Sequence, residues 1–261
     1  MRADLCPQQI DSGGKADIRH STVLPVLFRF LVISVARRLW SCLRIIGRHD
    51  HRDLDETRRI AARVEGWLTD EEGELLYELA KDCLGRGVIV EIGSWKGRST
   101  IWLARGSKQG RKTKVYAIDP HKKSSLADFK DNIKMARVED LVVPIVKTSA
   151  QAAGEFSKPV ELIFIDGNHH YEMVELDFIL WFPKVVENGT MVFHDTTNFF
   201  GPKKVVEEHI YRSRNFRSVK LVNSVTLGEK TRKNAFKDRF RSNVWLCIKK
   251  VYEVLEPHTF T

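Results

Sequence analysis

Short runs of β-branched and aromatic residues alternate with longer segments of helical spacing through the middle of the chain. Runs of this kind are typical of strands buried on both faces of a parallel sheet. Strands are predicted at residues 88–92, 115–118, 141–146, 160–165 and 190–193, with two closing strands at 217–222 and 244–249. The pattern predicts an α/β fold, a doubly wound, mostly parallel sheet of seven strands with a Rossmann-like order.

The segments between the strands predict helices with recognisable ends. Thr69 and Glu72 have the spacing of a capping box, and Gly85 ends the helix that they open. Further helices are predicted from Ser99, from the segment after Asp119 to about residue 137, over 172–186 with a turn at 188–189, and over 201–213. A basic insert at 229–241 is expected between the two closing strands.

The residues before this domain differ in pattern. Residues 1–20 are predicted to be a disordered tail, 21–65 a basic amphipathic helix with a linker over 49–66, and 66–261 the main domain. Residues 19–63 contain ten arginines, no lysine and four acids. In a helix from Val26, four of these arginines fall within a sector about 100° wide. The segment 23–48 is too charged to span a bilayer, and it either packs on the domain or a second subunit of a homo-oligomer, or makes peripheral contact with the inner face of a membrane.

Charge and cysteine content narrow the class of protein. The net charge is +9 and the basic residues are spread along the chain, so a nucleic-acid partner is not favoured. The four cysteines are scattered without a Cys-x-x-Cys pair, which favours a reducing cytoplasm over a disulfide framework.

The loop after the first strand has the features of a nucleoside site. It reads Glu-x-Gly-x-x-x-Gly from Glu91 and lacks the Gly-x-Gly-x-x-Gly spacing that admits a pyrophosphate. A leading acid suits a ligand with an ammonium group and no phosphate, such as S-adenosylmethionine. Asp119 ends the next strand, where a carboxylate holds ribose hydroxyls. Ser149 either contacts adenine or is the N-cap of the next helix.

Two more strand ends carry acids. Asp166 and Asp195 follow neighbouring parallel strands, so their carboxylates are expected to share a divalent cation, with Mg²⁺ favoured. His194 either points away or binds a softer metal such as Mn²⁺ or Fe²⁺. His169 is the candidate general base, with Asp166 as the alternative.

The chain from about residue 66 to 249 resembles the class I methyltransferases of the Methyltransf_24 type, which are similar to metal-dependent sugar O-methyltransferases, to cephalosporin hydroxylase-like proteins and to catechol O-methyltransferases. The matching stretches are Val-Glu-Ile-Gly-Ser-Trp-Lys-Gly-Arg-Ser-Thr, Val-Tyr-Ala-Ile-Asp-Pro-His, Phe-Ile-Asp-Gly-Asn-His-His-Tyr, Asn-Gly-Thr-Met-Val-Phe-His-Asp-Thr and Gly-Pro-Lys-Lys-Val-Val. The resemblance implies metal ligation by Asp166 and Asp195, whereas many relatives have an acid or amide where His194 stands. The candidate cofactor contacts are Glu91, Gly93, Ser94, Trp95, Gly97, Ser99, Asp119, Ser149 and Asp166.

The function predicted from these residues is S-adenosylmethionine-dependent, metal-assisted O-methylation of a hydroxyl on a sugar or another small-molecule or glycolipid acceptor. Three alternatives stay open: an RNA O-methyltransferase, a non-catalytic module of the same fold at a membrane surface, and a hydroxylase. The last would need a facial triad of two histidines and a carboxylate, for which the sequence offers only the loose set His169, His194 and Asp166.

Overall fold

A computed structural model describes residues 51–121 and 125–255 of the chain. Seven strands and eight α-helices are found in this part. In chain order they are α1 (His51–Ala61), α2 (Asp70–Lys81), β1 (Val88–Ile92), α3 (Arg98–Gln109), β2 (Val115–Ile118), α4 (Ser125–Met135), β3 (Val142–Ile145), α5 (Ser149–Glu155), β4 (Val160–Ile165), α6 (Tyr171–Trp181), β5 (Val185–Phe193), α7 (Phe200–Val206), β6 (Phe216–Val222), β7 (Val225–Lys230) and α8 (Phe236–Leu255). A 3₁₀ turn follows α6 and a π-helical turn, Glu207–Tyr211, follows α7.

The strands form one sheet in the order β3-β2-β1-β4-β5-β7-β6. The first five strands are parallel, and β7 runs antiparallel to both of its neighbours. The predicted doubly wound, mostly parallel sheet of seven strands is therefore confirmed. Its order reverses between β1 and β4, which is the point where ligands bind in sheets of this type.

The ends of the central strands meet at one edge of the sheet. Ile92 is paired with Ile118 on one side and with Ile165 on the other, and Ile165 is paired with Phe193. The backbone amide of Asp166 donates to the carbonyl of Ile92 at 2.9 Å. The four loops that follow these strands consequently start side by side.

Helices cover both faces of the sheet and bury two apolar layers. Ile89 packs on the side of α2 and α3, and its neighbour Val90 packs on the side of α5 and α6. Both side chains are fully buried, because successive residues of a strand point to opposite faces. Strands buried in this way need no polar face, which explains their continuous apolar runs.

The closing region differs from the prediction. The last strand is β7, and residues 244–249, predicted as a strand, lie inside α8. Asn223, at φ 50°, lies between β6 and β7, which are joined by only two residues. The buried stretch from Val225 to Leu227 pairs with both β5 and β6, and so occupies the place expected for the later segment.

The prediction for α6 was also wrong at its end. The helix stops at Trp181, and β5 begins at Val185, so the Asn188–Gly189 pair lies within the strand. Val160 pairs with Val185 and Leu162 with residue 190, which leaves a bulge on β5 between these two pairs.

The expected linker over residues 49–66 is helical at residues 51–61. Helix α1 is held to the domain by Asp53, which forms an ion pair with Arg105 at 2.5 Å and accepts a hydrogen bond from Tyr77 at 2.8 Å. Thr57 and Ala61 are buried. The predicted tail and amphipathic segment, residues 1–50, lie outside the described residues. None of the helices in the described ranges is both long and apolar enough to cross a bilayer.

Candidate active site

The loop after β1 is packed directly against the loop after β4. Gly93 has φ 89°, and a Cβ added there would lie 2.0 Å from the carbonyl oxygen of Asp166. A glycine is needed because the conformation is left-handed and because the second backbone occupies the side-chain space. Gly97, at φ 90°, is the N-cap of α3 and faces Phe129. The two glycines therefore fix the path of the loop.

Glu91 lies behind this loop. Its carboxylate is fully buried and accepts hydrogen bonds from the hydroxyls of Ser99 and Thr100 at the start of α3. Burial raises the pKa of Glu91 to about 7, and the two hydrogen bonds act in the opposite direction. Glu91 and Ser99 are hydrogen-bonded to each other, and their predicted contact with the cofactor stays a prediction. They position the loop.

Asp119 connects the loop after β2 with the glycine loop. One carboxylate oxygen accepts from the amide of Trp95 at 2.9 Å, and the other accepts from the amide of His121 at 2.7 Å. The side chain remains 16% exposed. Each oxygen keeps a second lone pair, so the carboxylate is able to accept from ribose hydroxyls in addition.

Two buried polar atoms beside this carboxylate have no hydrogen-bond partner among the described residues. They are the hydroxyl oxygen of Ser94 and Nε2 of His121. Ser94 is 2% exposed, and the imidazole side chain of His121 is wholly buried. Buried polar groups are normally paired, so these two atoms, on the glycine loop and next to Asp119, fit the edge of a ligand site.

Ser149 is not the N-cap of α5, which was one of its two predicted roles, and its contact with adenine stays a prediction. The N-cap of α5 is Thr148, which forms a complete capping box with Gln151. The hydroxyl of Ser149 accepts a hydrogen bond from Nε1 of Trp181 at 2.9 Å. The N-cap alternative is therefore wrong, and the serine is tied to the end of α6.

The two predicted carboxylates of the neighbouring strands do come together, and a histidine joins them. Ligand atoms of Asp166, His169 and Asp195 all lie within 4.8 Å of one another. Nε2 of His169 is 3.0 Å from Oδ2 of Asp195. Burial alone would raise the pKa of Asp195, but the nearby imidazoles of His169 and His194 outweigh it and lower this pKa well below its usual range. Two carboxylates and an imidazole form a donor set that suits a divalent cation.

His194, the third predicted metal ligand, is buried and surrounded by carboxylates. Its Nδ1 lies 3.2 Å from both Asp166 and Asp195, and its Nε2 lies 3.4 Å from Glu72. Burial would lower its pKa, but the three carboxylates raise it well above its ordinary value. His194 therefore lies buried among three carboxylates, and its ligation of a metal stays a prediction. His169, predicted as the general base, lies within the acidic cluster.

Several residues of the site were missed by the sequence analysis. Glu72 accepts from the amide and hydroxyl of Ser224, and its part in the capping box gave no sign of its contact with His194. Trp67, 75% exposed, stacks on Trp95 of the glycine loop at a centroid distance of 5.1 Å. The sequence does not indicate this stacking, but an exposed tryptophan in the structure suggests a binding role.

The imidazole of His169 is held from a second side. Phe199 stacks on it at 4.0 Å, with an angle of 23° between the planes. A Cβ on Gly201 would lie 2.2 Å from the carbonyl oxygen of His169, so the start of α7 rests directly on this loop. The ring is therefore oriented by Asp195, by Phe199 and by the backbone packing of α7.

The strand order, the glycine loop and the acidic residue after β2 are features of a Rossmann-like, nucleoside-binding fold. Residues 90–196 match the model of the Methyltransf_24 family, which is described as a methyltransferase domain. The chain is also 31% identical over 144 residues to a catechol O-methyltransferase of Mycobacterium tuberculosis. That alignment covers 55% of this chain and 60% of the relative. The chain is therefore similar to methyltransferases over this segment, and it spans 60% of the length of the curated relative.

Solved structures share the fold at low sequence identity. A protein from Corynebacterium glutamicum superposes with a TM-score of 0.56 at 15% identity, covering 75% of this chain and 96% of that one. The O-methyltransferase TomG from Streptomyces achromogenes, involved in tomaymycin synthesis and solved in complex with SAM, gives 0.53 at 19% identity, with 76% and 96% covered. These similarities confirm the Rossmann-like fold.

Proposed function

We propose that the domain is an S-adenosylmethionine-dependent O-methyltransferase that acts on a hydroxyl of a small-molecule acceptor. The observation that carries the proposal is the meeting of two prepared surfaces at one edge of the sheet. One is the glycine loop with Asp119 and the unpaired Ser94 hydroxyl, and the other is the cluster of Asp166, His169 and Asp195. The name of the catechol O-methyltransferase relative and the SAM complex of TomG support this proposal.

The glycine-loop residues account for cofactor binding. Asp119 accepts from the ribose hydroxyls, and the Ser94 hydroxyl donates to a polar atom of the cofactor. Trp95, whose amide is fixed by Asp119, sets the wall of the site. Gly93 and Gly97 hold the loop in a shape that needs no rearrangement before binding, which lowers the entropic cost of positioning.

Asp166 and Asp195 are proposed to hold a divalent cation, with Mg²⁺ favoured by the two carboxylates and Mn²⁺ or Fe²⁺ as the alternatives. When bound, such a cation lowers the pKa of an acceptor hydroxyl and orients it. The chain's own contribution is the imidazole of His169. Asp195 holds Nε2, so that Nδ1 is left to take the proton from the acceptor oxygen.

The acceptor is proposed to carry two neighbouring hydroxyls, since a diol suits a cation held by two carboxylates. Saccharides, including lipid-linked ones, and catechols both satisfy this requirement. The stacked pairs Trp67–Trp95 and His169–Phe199 offer flat apolar surfaces suited to either ring type. Transfer of a labelled methyl group to a panel of sugar diols and catechols, with and without Mg²⁺, identifies which is used.

The decisive test separates the two surfaces by substitution. Asp119→Ala is expected to weaken cofactor binding in calorimetry, whereas Asp195→Ala keeps cofactor affinity and loses turnover. Asp131→Ala, an exposed acid on α4, is the matched control and is expected to alter neither. Unchanged cofactor affinity in Asp119→Ala contradicts the cofactor assignment, and unchanged turnover in Asp195→Ala contradicts the cation assignment.

Peripheral membrane contact through residues 23–48 is a second part of the proposal. Its support is the amphipathic arginine pattern of that segment. Flotation of the full chain with anionic vesicles, compared with a variant in which Arg37 and Arg44 are changed to glutamate, measures it directly. Equal flotation of both proteins contradicts this part.

A further inference from the structure

Helix α8 has an unusual distribution of side chains between its two sides. Its inner side contains Lys249, which is fully buried and forms ion pairs with Glu207 and Glu253. Glu253 also pairs with Lys203 of α7 at 2.5 Å. Trp245 and Leu246 pack on the apolar layer of the sheet. The helix is thus attached to the domain in part through a buried charged network.

The outer side of α8 is apolar. Its exposed apolar side chains are Phe236 (86% exposed), Phe240 (64%), Val244 (41%), Val251 (36%) and the exposed Cys247. At the helical spacing of 100° per residue these five fall within a sector about 80° wide. A helix that served only to cover the sheet would have the phenylalanines inside and the lysine outside. The arrangement therefore indicates that the outer side has a partner.

Basic residues border this apolar stripe on both sides. Lys237 and Arg241 lie along one border, and Arg239 and Lys250 lie along the other, all four exposed. The only acid in the first turn, Asp238, lies on the opposite side of the helix. The surface is therefore an apolar strip between two cationic rows, which is complementary to an apolar layer beneath negative charge.

The positive charge of this surface determines which kind of partner can bind to it. A second copy of the chain would bring the same cationic rows against each other, and like charges at an interface are unfavourable. The segment of residues 19–63 contains ten arginines and four acids, so it is like-charged as well. An anionic lipid surface offers acyl chains to the phenylalanines and phosphates to the basic rows.

We propose that the outer side of α8 lies in the interface of an anionic membrane, with Phe236 and Phe240 inserted below the headgroups and the flanking Lys and Arg side chains on the lipid phosphates. This site is separate from residues 23–48 and does not depend on the proposed enzymatic activity. It would place the domain itself, in addition to its N-terminal segment, at the membrane.

Cys247 lies within the stripe and gives a local probe of it. The full chain, with Cys6 and Cys42 changed to serine, is labelled at Cys247 with an environment-sensitive fluorophore; the other cysteine, Cys83, is buried. Vesicles of phosphatidylcholine mixed with phosphatidylglycerol are expected to shift the emission to the blue. Phosphatidylcholine vesicles alone are expected to leave it unchanged, and added salt weakens the shift.

Matched variants test the two parts of the surface. Phe236→Ser with Phe240→Ser is expected to reduce vesicle affinity at least about tenfold, because it removes the inserted apolar area. Met173→Ser with Ile179→Ser removes two exposed apolar side chains of α6 and is expected to have no effect. Arg239→Glu with Arg241→Glu should abolish the shift, whereas the same change at Lys130 and Lys134 of α4 should not.

Three results would overturn the proposal. The first is flotation of the labelled protein with anionic vesicles and no change in emission, which would assign all binding to another segment. The second is a blue shift that depends on protein concentration without lipid, which would identify a second copy as the occupant. The third is wild-type vesicle affinity in the double phenylalanine variant, whose folding is checked by an unchanged melting temperature.

Discussion

The glycine loop and the acidic cluster lie at the same edge of the sheet, but they are stabilised in opposite ways. In the loop, the carboxylate of Glu91 accepts from two hydroxyls, and that of Asp119 accepts from the amides of Trp95 and His121. In the cluster, Asp166 and Asp195 lie near each other, with the buried His194 between them and Glu72. The conformation of the first region is fixed by internal hydrogen bonds, whereas the second region is a cluster of charged side chains.

Under the proposed function, this difference lets one edge of the sheet serve two chemical tasks. A cofactor that must be aligned for an in-line transfer benefits from a loop already fixed by backbone packing. A cation site requires ionised ligands, and the lowered pKa of Asp195 provides one across the physiological range. The buried His194, close to Asp166 and Asp195, offsets the electrostatic repulsion between these carboxylates.

The largest effect is expected on turnover, from a substitution in the acidic cluster. His169→Ala should lower turnover by roughly 10²- to 10⁴-fold, the usual contribution of a positioned general base, and should leave cofactor affinity unchanged. The neighbouring His170 is exposed and serves as the control, so His170→Ala should behave like the wild type. Steady-state kinetics and calorimetry measure the two quantities. Equal turnover in both variants would remove His169 from the mechanism.

A substitution in the glycine loop is expected to change the stability of the fold. Gly93→Ala forces a Cβ into the carbonyl of Asp166 at a left-handed backbone position, and we expect it to lower the free energy of unfolding by about 3 kcal/mol or more. Gly154→Ala is the matched control: nothing lies within 4 Å of its Cβ position in α5. That change should be neutral or stabilise by roughly 0.5 kcal/mol. Chemical denaturation of both variants measures the two changes in the free energy of unfolding.

The buried Glu91 should make stability depend on pH. Its pKa is raised by burial from 4.5 to about 7, so the folded state holds the proton more tightly than the unfolded state. Stability is therefore expected to fall as pH rises from about 4.5 to 7, by about 2 to 3 kcal/mol from this group. Glu91→Gln should flatten that part of the profile and preserve cofactor affinity. A marked loss of affinity would instead identify Glu91 as a cofactor contact.

The smallest effect is expected at Phe199. Loss of the ring stacked on His169 removes an aromatic contact worth about 0.5 to 1.5 kcal/mol, so Phe199→Ala should lower turnover up to about tenfold. Phe200→Ala removes the neighbouring, 71% exposed ring and should change turnover much less. A comparison of kcat for the two variants is sufficient.

The sequence predicts those parts of the site that follow from strand order. Asp119, Asp166 and Asp195 each end a short apolar run, and parallel strands place such ends at one edge. The capping box at Thr69 and Glu72 is likewise local, and it is confirmed. Local pattern and the rule for parallel sheets were sufficient for these residues.

Other features depend on contacts between distant residues. The contacts of Glu72 with Ser224 and His194 join α2 to the turn between β6 and β7 and to the end of β5, and no spacing in the sequence reports them. The stretch 244–249 looked like a strand because it is apolar, although part of its apolar surface faces outward on α8. The raised pKa of His194 likewise depends on three nearby carboxylates that outweigh its burial, and no spacing in the sequence reports them.

Native mass spectrometry of the full chain, incubated with S-adenosylmethionine and Mg²⁺ and compared with its Asp195→Ala variant, tests the two-part site most directly. We expect one cofactor and one cation per chain in the wild type, and the cofactor alone in the variant. A wild-type protein that retains no cation, or a variant that retains the same cation, would contradict this expectation.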